Sequence, residues 1–124
     1  MSFNPYPEEE VIKSKLLLQA SLLRSEGKEV LAASLFAEAA VLEERLAERA
    51  EADGDTTRAI RSNFSAASAW ANAGDFHHAL TLLQSLELRD DAPETLKVRV
   101  RAFSDTLRFQ LKRWHESLQE SSLV

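Results

Sequence analysis

A chain of 124 residues has the length of one domain, and its 44% apolar and 28% charged residues are typical of a folded protein and exclude a disordered one. Three Gly and three Pro are few and favour long helices, while the absence of Cys excludes a disulfide framework and a thiolate metal site. The net charge of −5 disfavours nucleic acid as the main partner. The sequence shows no secretory signal and no apolar run of about 18 residues, so we expect a cytoplasmic protein that binds no membrane.

Helices 1 and 2 are predicted to form a first hairpin, over about residues 8–53, that turns at Gly27. Helix 1 runs from about 8 to 26, and three glutamates in its first turn stabilise the positive end of the helix dipole. Helix 2 runs from about 28 to 53 and ends at Gly54. The apolar stripes consist of Ile12, Leu16, Ala20 and Leu23 in helix 1, and of Leu31, Leu35, Ala39, Leu42 and Leu46 in helix 2.

Helices 3 and 4 are predicted to form a second hairpin over about residues 56–88. Helix 3 runs from about 56 to 73, and Gly74 ends it because glycine tolerates the left-handed backbone of a helix C-cap. Asp75 then supplies a side-chain oxygen for the N-terminus of helix 4, which runs from about 76 to 88. The apolar stripe of helix 3 consists of Ile60, Phe64, Ala67 and either Trp70 or Ala71.

Helix 5 is predicted over about residues 93–120 and has the clearest amphipathic pattern in the chain. Its apolar residues recur at spacings of 4, 3, 4, 4, 3 and 4; they are Leu96, Val100, Phe103, Leu107, Leu111, Trp114 and Leu118. The segment 96–102 also alternates apolar and basic residues as a strand does, but no second strand is evident to pair with it. The sequence therefore predicts an all-α fold of five helices, whose last and longest helix caps the two hairpins.

The two hairpins share one residue pattern, displaced by about 47 positions. The aligned pairs are Gly27 with Gly74, Ala20 with Ala67, Leu23 with Trp70, Ala32 with Ala79, and Phe36 with Leu83. This order resembles that of the tetratricopeptide repeat (TPR) family over about residues 13–88. The spacing is longer than the family's repeat of about 34 residues, because helix 2 is prolonged. Since two hairpins are fewer than the three repeats usually required, we expect helix 5 to complete the stack.

The resemblance implies a binding groove lined by the first helix of each hairpin. Carried onto this chain, the groove comprises Leu17, Ser21 and Arg24 from helix 1 and Arg61, Phe64, Ser68 and Asn72 from helix 3. Leu17 and Ser21 stand where the chaperone-tail-binding members carry Lys and Asn, so a clamp for a C-terminal carboxylate is not expected. A groove of Ser, Leu, Phe and Arg suits an amphipathic helix or a short peptide better.

Other residue types favour structural roles over chemistry. Trp70 and Trp114 fall on apolar stripes, which favours a place in the core over a ligand-stacking role. His77 and His78 are adjacent, do not share a helix face, and are expected at the surface, so we predict no metal site and no cofactor. An acidic exposed side is predicted for helix 2, formed by Glu43, Glu44, Glu48 and Glu51. The basic stripe of helix 5, formed by Lys97, Arg101, Arg108 and Lys112, fits either a solvated face or the docking of an acidic partner segment.

Helix 5 also carries apolar residues outside its main stripe. Val98 and Phe109 are the larger ones, and Phe109 points about 160° away from Leu107 on a helical wheel. One docking face cannot cover both directions. The second patch therefore predicts either a surface for self-association, as in a homodimer, or packing of Phe109 under helix 4 or the chain termini.

The sequence gives no sign of catalysis. It contains no glycine-rich phosphate loop, no G-x-S-x-G turn and no H-E-x-x-H pair. We therefore expect a protein–protein interaction module that binds a peptide or helix of a partner protein, and not an enzyme. The alternative is a structural subunit that self-associates through helix 5. A small helical enzyme is a third reading and would need a deep polar pocket.

Overall fold

The computed structural model describes residues 7–122, and they form five helices, as predicted. The helices are α1 (Pro7–Ser25), α2 (Glu29–Ala52), α3 (Thr56–Asn72), α4 (Phe76–Glu87) and α5 (Glu94–Ser122). Each helix packs on the one before it and the one after it, so α1 and α5 are the edges of the stack. The prediction of an all-α fold with a long last helix is confirmed, and residues 96–102 are helical rather than extended.

The first three connections share one tight turn built around a glycine. Gly27 and Gly74 have φ angles of +80° and +88°, which side chains with a Cβ rarely adopt, and Gly54 resembles them at +75°. After each glycine, the next backbone N–H donates back to the carbonyl five residues earlier, as in a Schellman motif. These bonds are 2.9 Å from residue 28 to residue 23, 2.8 Å from 55 to 50, and 2.9 Å from 75 to 70.

The N-terminal caps of the helices after these turns differ. Oδ1 of Asp55 accepts a hydrogen bond from the backbone N–H of Arg58 at 3.2 Å, and Oδ1 of Asp75 accepts one from that of His78 at 3.1 Å. Lys28 holds the same position before α2 but makes no side-chain cap. The prediction that Asp75 caps α4 is confirmed.

Alanines fill the contacts between the helices. The buried alanines of α2 and α3 are Ala32, Ala39, Ala40, Ala47, Ala50, Ala59, Ala66, Ala67 and Ala69. Without larger side chains, the two helix backbones can approach closely. The aligned pairs of the two hairpins also share their environment, because Ala20, Ala67, Ala32 and Ala79 are all completely buried.

The apolar stripe of α5 is covered only along its first half. Val100 and Leu107 are buried, whereas Trp114 is 58% exposed and Leu118 is also exposed. The prediction that Trp114 lies in the core is therefore wrong. The reason is length: α4 has 12 residues, about 18 Å of helix, whereas α5 has 29 residues, about 43 Å. Beyond Leu111, α5 extends past the end of the helix that covers it.

Two further stripe residues near the first edge are exposed as well. Ile12 of α1 and Leu31 of α2 were expected to face the core, but both lie in solvent. Because α1 packs mainly against α2, it buries one narrow side, and Lys13 points into that side in place of Ile12. In α2, Ala32 takes the buried direction instead of its neighbour Leu31.

The acidic side predicted for α2 is partly inside the protein. Glu43 is only 2% exposed, and its Oε1 lies 2.7 Å from Nζ of Lys13. Glu44 contacts Trp70 and His78, while Glu48 and Glu51 are exposed. The expectation that Glu43 is exposed is therefore wrong, because a cation from α1 reaches it across the hairpin.

Among residues 7–122, no helix combines the length and the apolar character that a membrane span requires.

Candidate partner-binding groove

Helices α1, α3 and α5 meet on one side of the stack. Arg24 of α1 bonds Asn72 of α3, and the rings of Phe64 in α3 and Phe103 in α5 lie 6.1 Å apart between their centroids. We call this side the odd-helix face, defined by these four residues. The Phe64–Phe103 contact divides it into two grooves.

The first, the Arg61 groove, lies between the N-terminal parts of α3 and α5 and has a volume of about 520 Å³. Its apolar lining consists of Ile60, Phe64, Pro93 and Leu96, and its charged lining of Arg61, Asp91 and Arg99. The guanidinium of Arg99 lies over the Phe64 ring, 5.1 Å from the ring centroid. This cation–π contact holds Arg99 at the edge of the groove.

The charge of the Arg61 groove is positive in effect. Both oxygens of Asp91 accept hydrogen bonds of 2.8 Å from Arg89, and these bonds lower the pKa of Asp91. That carboxylate is therefore already neutralised by a bidentate partner. By contrast, neither Arg61 nor Arg99 pairs with a carboxylate within residues 7–122. Two arginines thus flank an apolar floor.

The second, the Asn72 groove, has a volume of about 390 Å³ and lies nearer the C-terminal ends of α1 and α3. The residues that shape it are Arg24, Ser68, Asn72, Phe76, Phe103 and Gln110. Arg24 is fully engaged here: it donates to Oδ1 of Asn72 at 3.1 Å, to the Asn72 carbonyl at 2.6 Å, and to Glu29 at 3.0 Å. Its guanidinium also lies 4.7 Å from the Phe36 ring centroid. Arg24 therefore joins α1 to α3.

The two grooves bring together five of the seven predicted partner-binding residues, and Leu17 and Ser21 line neither groove. Arg61 and Phe64 line the first groove, and Arg24, Ser68 and Asn72 line the second. Leu17 is half-buried against the Ala20 and Phe36 cluster, and Ser21 is exposed on α1.

Sequence reasoning missed the contribution of α5 to both grooves. The lining residues from α5 include Arg99, Phe103, Thr106 and Gln110. Their spacing of 4, 3 and 4 is that of one helix face and could have identified them. The sequence-based groove contains residues of helices 1 and 3 only, because in the TPR resemblance the first helix of each hairpin lines the groove.

A third concavity, the Trp114 groove, lies between the α3–α4 turn and the second half of α5. It has a volume of about 730 Å³ and is lined in part by Phe76, His77, Leu111, Trp114 and His115. Its aromatic side is open because α4 begins at Phe76 and leaves Trp114 uncovered. Within the described residues, no group of three or more acidic or histidine side chains could hold a metal ion.

The outer side of α5, turned away from α4, exposes the second apolar patch. Phe109 is 60% exposed, Val98 is also exposed, and the guanidinium of Arg113 lies 5.9 Å from the Phe109 ring centroid. We call this side the Phe109 face, defined by Val98, Ala102, Asp105, Phe109, Arg113, Glu116 and Glu120. Phe109 does not pack under α4.

Trp70 and His78 form a structural cluster away from the grooves. The indole Nε1 of Trp70 donates to Oε2 of Glu44 at 2.8 Å, and Nε2 of His78 lies 3.1 Å from the same oxygen. The two rings stack with centroids 4.1 Å apart and planes 18° apart. Residues from α2, α3 and α4 therefore converge on one carboxylate oxygen.

Comparison with protein-family models, with curated proteins and with solved structures finds no match to this chain. The resemblance to the TPR family therefore depends on the aligned residues of the two hairpins alone.

Proposed function

We propose that this protein is an interaction module that binds an apolar and acidic helix or peptide of a partner protein on its odd-helix face. The observation that carries the proposal is the Arg61 groove, in which an apolar floor lies between two arginines that have no carboxylate partner among residues 7–122. The proposal retains Arg61 and Phe64 from the sequence-based groove and adds Arg99.

The dimensions and chemistry of the groove suit side chains of a peptide. About 520 Å³ is within the range of small-ligand pockets and can accept one or two bulky apolar side chains. Carboxylates on either side of such a side chain can reach Arg61 and Arg99, whose planar guanidinium groups bind carboxylates in a bidentate manner. Apolar burial then supplies affinity, and charge complementarity supplies orientation and a faster association rate.

The experiment is a selection from a displayed random peptide library on the immobilised protein, followed by fluorescence anisotropy of the selected peptides. We expect peptides that combine a bulky apolar residue with acidic residues. Arg61→Glu with Arg99→Glu should weaken binding at least about 100-fold, the effect of removing two charged contacts. Raising the salt concentration should weaken binding to the wild type.

The matched control is the pair Arg45→Glu and Lys112→Glu, which reverses two exposed cations outside the Arg61 groove. This control should leave the affinity within about threefold of wild type. Arg24 is unsuitable for the test, because its substitution would also break the junction between α1 and α3. Equal binding by the Arg61 and Arg99 variant would remove the groove assignment.

Self-association through α5 is the second candidate function. The observation that favours it is the exposure of Val98 and Phe109 on the edge helix, on the side where no further helix of the described chain packs. Sedimentation equilibrium over a wide concentration range tests it. A mass that stays at that of one chain at the highest concentration would exclude this candidate.

A further inference from the structure

The charges around Phe109 indicate what kind of partner fits the Phe109 face. Asp105 and Arg113 lie four residues before and after it, so the three side chains share one side of α5. Phe109 is also within one residue of the midpoint of α5 (Glu94–Ser122). An exposed aromatic residue therefore lies at the centre of a long helix, with opposite charges at equal distances on either side.

This arrangement is complementary to itself when the helix is reversed. In an antiparallel pair of α5 helices related by a two-fold axis at Phe109, each Asp105 faces Arg113 of the second copy, and the two Phe109 rings meet at the axis. In a parallel pair in register, Asp105 would face Asp105 and Arg113 would face Arg113, which is repulsive. The charges thus favour the antiparallel orientation.

The remaining residues of the Phe109 face are compatible with the same register. Glu116 then lies opposite the small Ala102, and Glu120 lies opposite Val98, the neighbour of Lys97 in the chain. The Glu120 carboxylate of one copy is therefore placed at the end of the helix that carries Lys97 of the other. Because Phe109 lies near the middle of α5, this register lets the two helices overlap along nearly their whole length. A register centred nearer either end of α5 would shorten the overlap.

We infer that two copies of this chain pair through the Phe109 face, with their α5 helices antiparallel about a two-fold axis at Phe109. The inference rests on self-association, the second candidate function, and names its surface, orientation and register. It leaves the odd-helix face open, because Arg61 and Phe64 belong to a different side of the molecule. Each dimer would then present two copies of the Arg61 groove.

The experiment measures the dimer dissociation constant by sedimentation equilibrium for a set of exposed variants. Phe109→Glu should leave the protein monomeric at concentrations where the wild type is dimeric. Asp105→Arg and Arg113→Asp should each raise the dissociation constant at least about tenfold, because each places like charges across the axis twice. The double variant, Asp105→Arg with Arg113→Asp, should restore it to within about threefold of wild type.

Two controls accompany this set. Arg45→Asp reverses an exposed charge on α2 and should not change the dissociation constant. Far-ultraviolet circular dichroism should give the same helix content for every variant, since all the substituted residues are exposed. Trp114→Glu tests the competing apolar surface on the projecting part of α5 and should leave the dimer intact.

The possible results distinguish pairing through the Phe109 face from self-association in general and from peptide binding. A monomeric wild type overturns both self-association and this inference, and leaves the peptide-binding proposal standing. A dimer that resists Phe109→Glu, or that Trp114→Glu disrupts instead, overturns the pairing through the Phe109 face while self-association stands. A double variant as weak as either single reversal overturns the antiparallel register.

Discussion

Glu43 and Lys13 form the most buried ion pair of the described residues, with 2.7 Å between Oε1 and Nζ. Burial raises the pKa of Glu43, although the ammonium of Lys13 acts in the opposite direction. Burial alone would lower the pKa of Lys13, but its hydrogen bond to Glu10 and the negative charges of Glu10 and Glu43 outweigh it, so the pKa is raised. Each group therefore depends on the other for its charge.

Substitution of Lys13 by Met should destabilise the protein in a pH-dependent way. At pH 7 the variant leaves an uncompensated carboxylate in the interior, which should lower the free energy of unfolding by about 3 kcal/mol. Folded Glu43 then binds a proton more tightly than unfolded Glu43, whose pKa is near 4.5. The stability of the variant should therefore rise as the pH falls from 7 toward 4.5. Urea unfolding at a series of pH values measures this.

Two variants serve as controls for that measurement. Glu43→Gln removes the titrating group, so its stability should lack this rise toward low pH. Lys13→Met combined with Glu43→Leu removes both charges and should recover most of the lost stability, as apolar replacements of buried pairs often do. If the free energy of unfolding lost in Lys13→Met stayed constant from pH 7 to 4.5, this result would contradict the assignment of Glu43 as a buried carboxylate.

The sequence could not predict this pair. Four glutamates follow one another along helix 2, and such a cluster usually marks a solvated side. The partner of Glu43 comes from the preceding helix, thirty positions earlier, and only the packing of α1 on α2 brings it near. Single-residue exposure at a helix contact depends on rotation about the helix axis, which apolar spacing defines only to within about one residue.

At the scale of elements, the turns explain why the helices begin and end where they do. Gly27 and Gly74 allow the left-handed backbone, and Asp55 and Asp75 cap the helices that follow the second and third turns. Lys28 has φ and ψ angles of −90° and 68°, close to the −91° and 76° of Asp75. The first turn therefore has the geometry of the others without their cap.

Substitution of Lys28 by Asp should stabilise the protein. The new carboxylate can accept from the backbone N–H three residues later, as Asp75 does, and it adds a negative charge at the positive end of α2. We expect a gain of about 1 kcal/mol in the free energy of unfolding. The lost pair between Lys28 and Glu26 is exposed and contributes little. Thermal and urea unfolding measure the gain.

Comparison variants distinguish a cap from a general charge effect. Lys28→Asn should give most of the gain, because it caps without charge, and Lys28→Ala should give none. Asp75→Ala should lose about 1 kcal/mol at the corresponding position of the third turn. If Lys28→Ala stabilised the protein as much as Lys28→Asp, removal of the lysine charge would be the cause instead.

Because turn residues act locally, the helix bounds were predictable from the sequence to within two residues. The length over which α5 packs against α4 was not predictable. The apolar stripe of α5 continues regularly to Leu118, yet its packing ends near Leu111 because α4 is short. Periodicity identifies the side of a helix that is apolar, but the partner's length decides how much of that side is covered. Trp114 and Leu118 are exposed for this reason.

At the scale of the whole molecule, the contacts follow the order of the chain. One apolar cluster joins α1 and α2 around Phe36, and another joins α3, α4 and α5 around Leu83. The alanines of α2 and α3 lie between them. A stack in which each helix mainly contacts its neighbours transmits a local loss of stability less completely than a single shared core does.

Substitution of Leu83 by Ala should therefore act unevenly along the chain. Leu83 is completely buried, so the free energy of unfolding around it should fall by about 3 kcal/mol. Hydrogen exchange should become faster in α4 and α5 by a corresponding factor, while α1, which opens from the opposite edge, should change much less. Mass spectrometry of exchanged peptides measures this. Phe36→Ala should show the reverse pattern, and equal acceleration along the chain in both variants would indicate one cooperative unit.

The candidate site was predictable only where it depends on the residue pattern of a single helix. The contribution of α3 follows from its own exposed side, which sequence spacing identifies through Arg61 and Phe64. The contribution of Arg99 and Phe103 depends on α5 crossing beside α3, which is a matter of long-range packing. The engagement of Arg24 with Asn72 likewise depends on two segments 48 positions apart.

An odd number of antiparallel helices has a consequence for anything attached to this protein. Pro7 and Ser122 lie at opposite poles, because the chain crosses the stack five times. Along the helix axes, a label or a fused domain on one pole is thus separated from a label on the other by roughly the 43 Å length of α5, and the two also lie on opposite edges of the stack. The folded stack therefore acts as a spacer, and energy transfer between dyes at its poles would report directly on whether it stays folded.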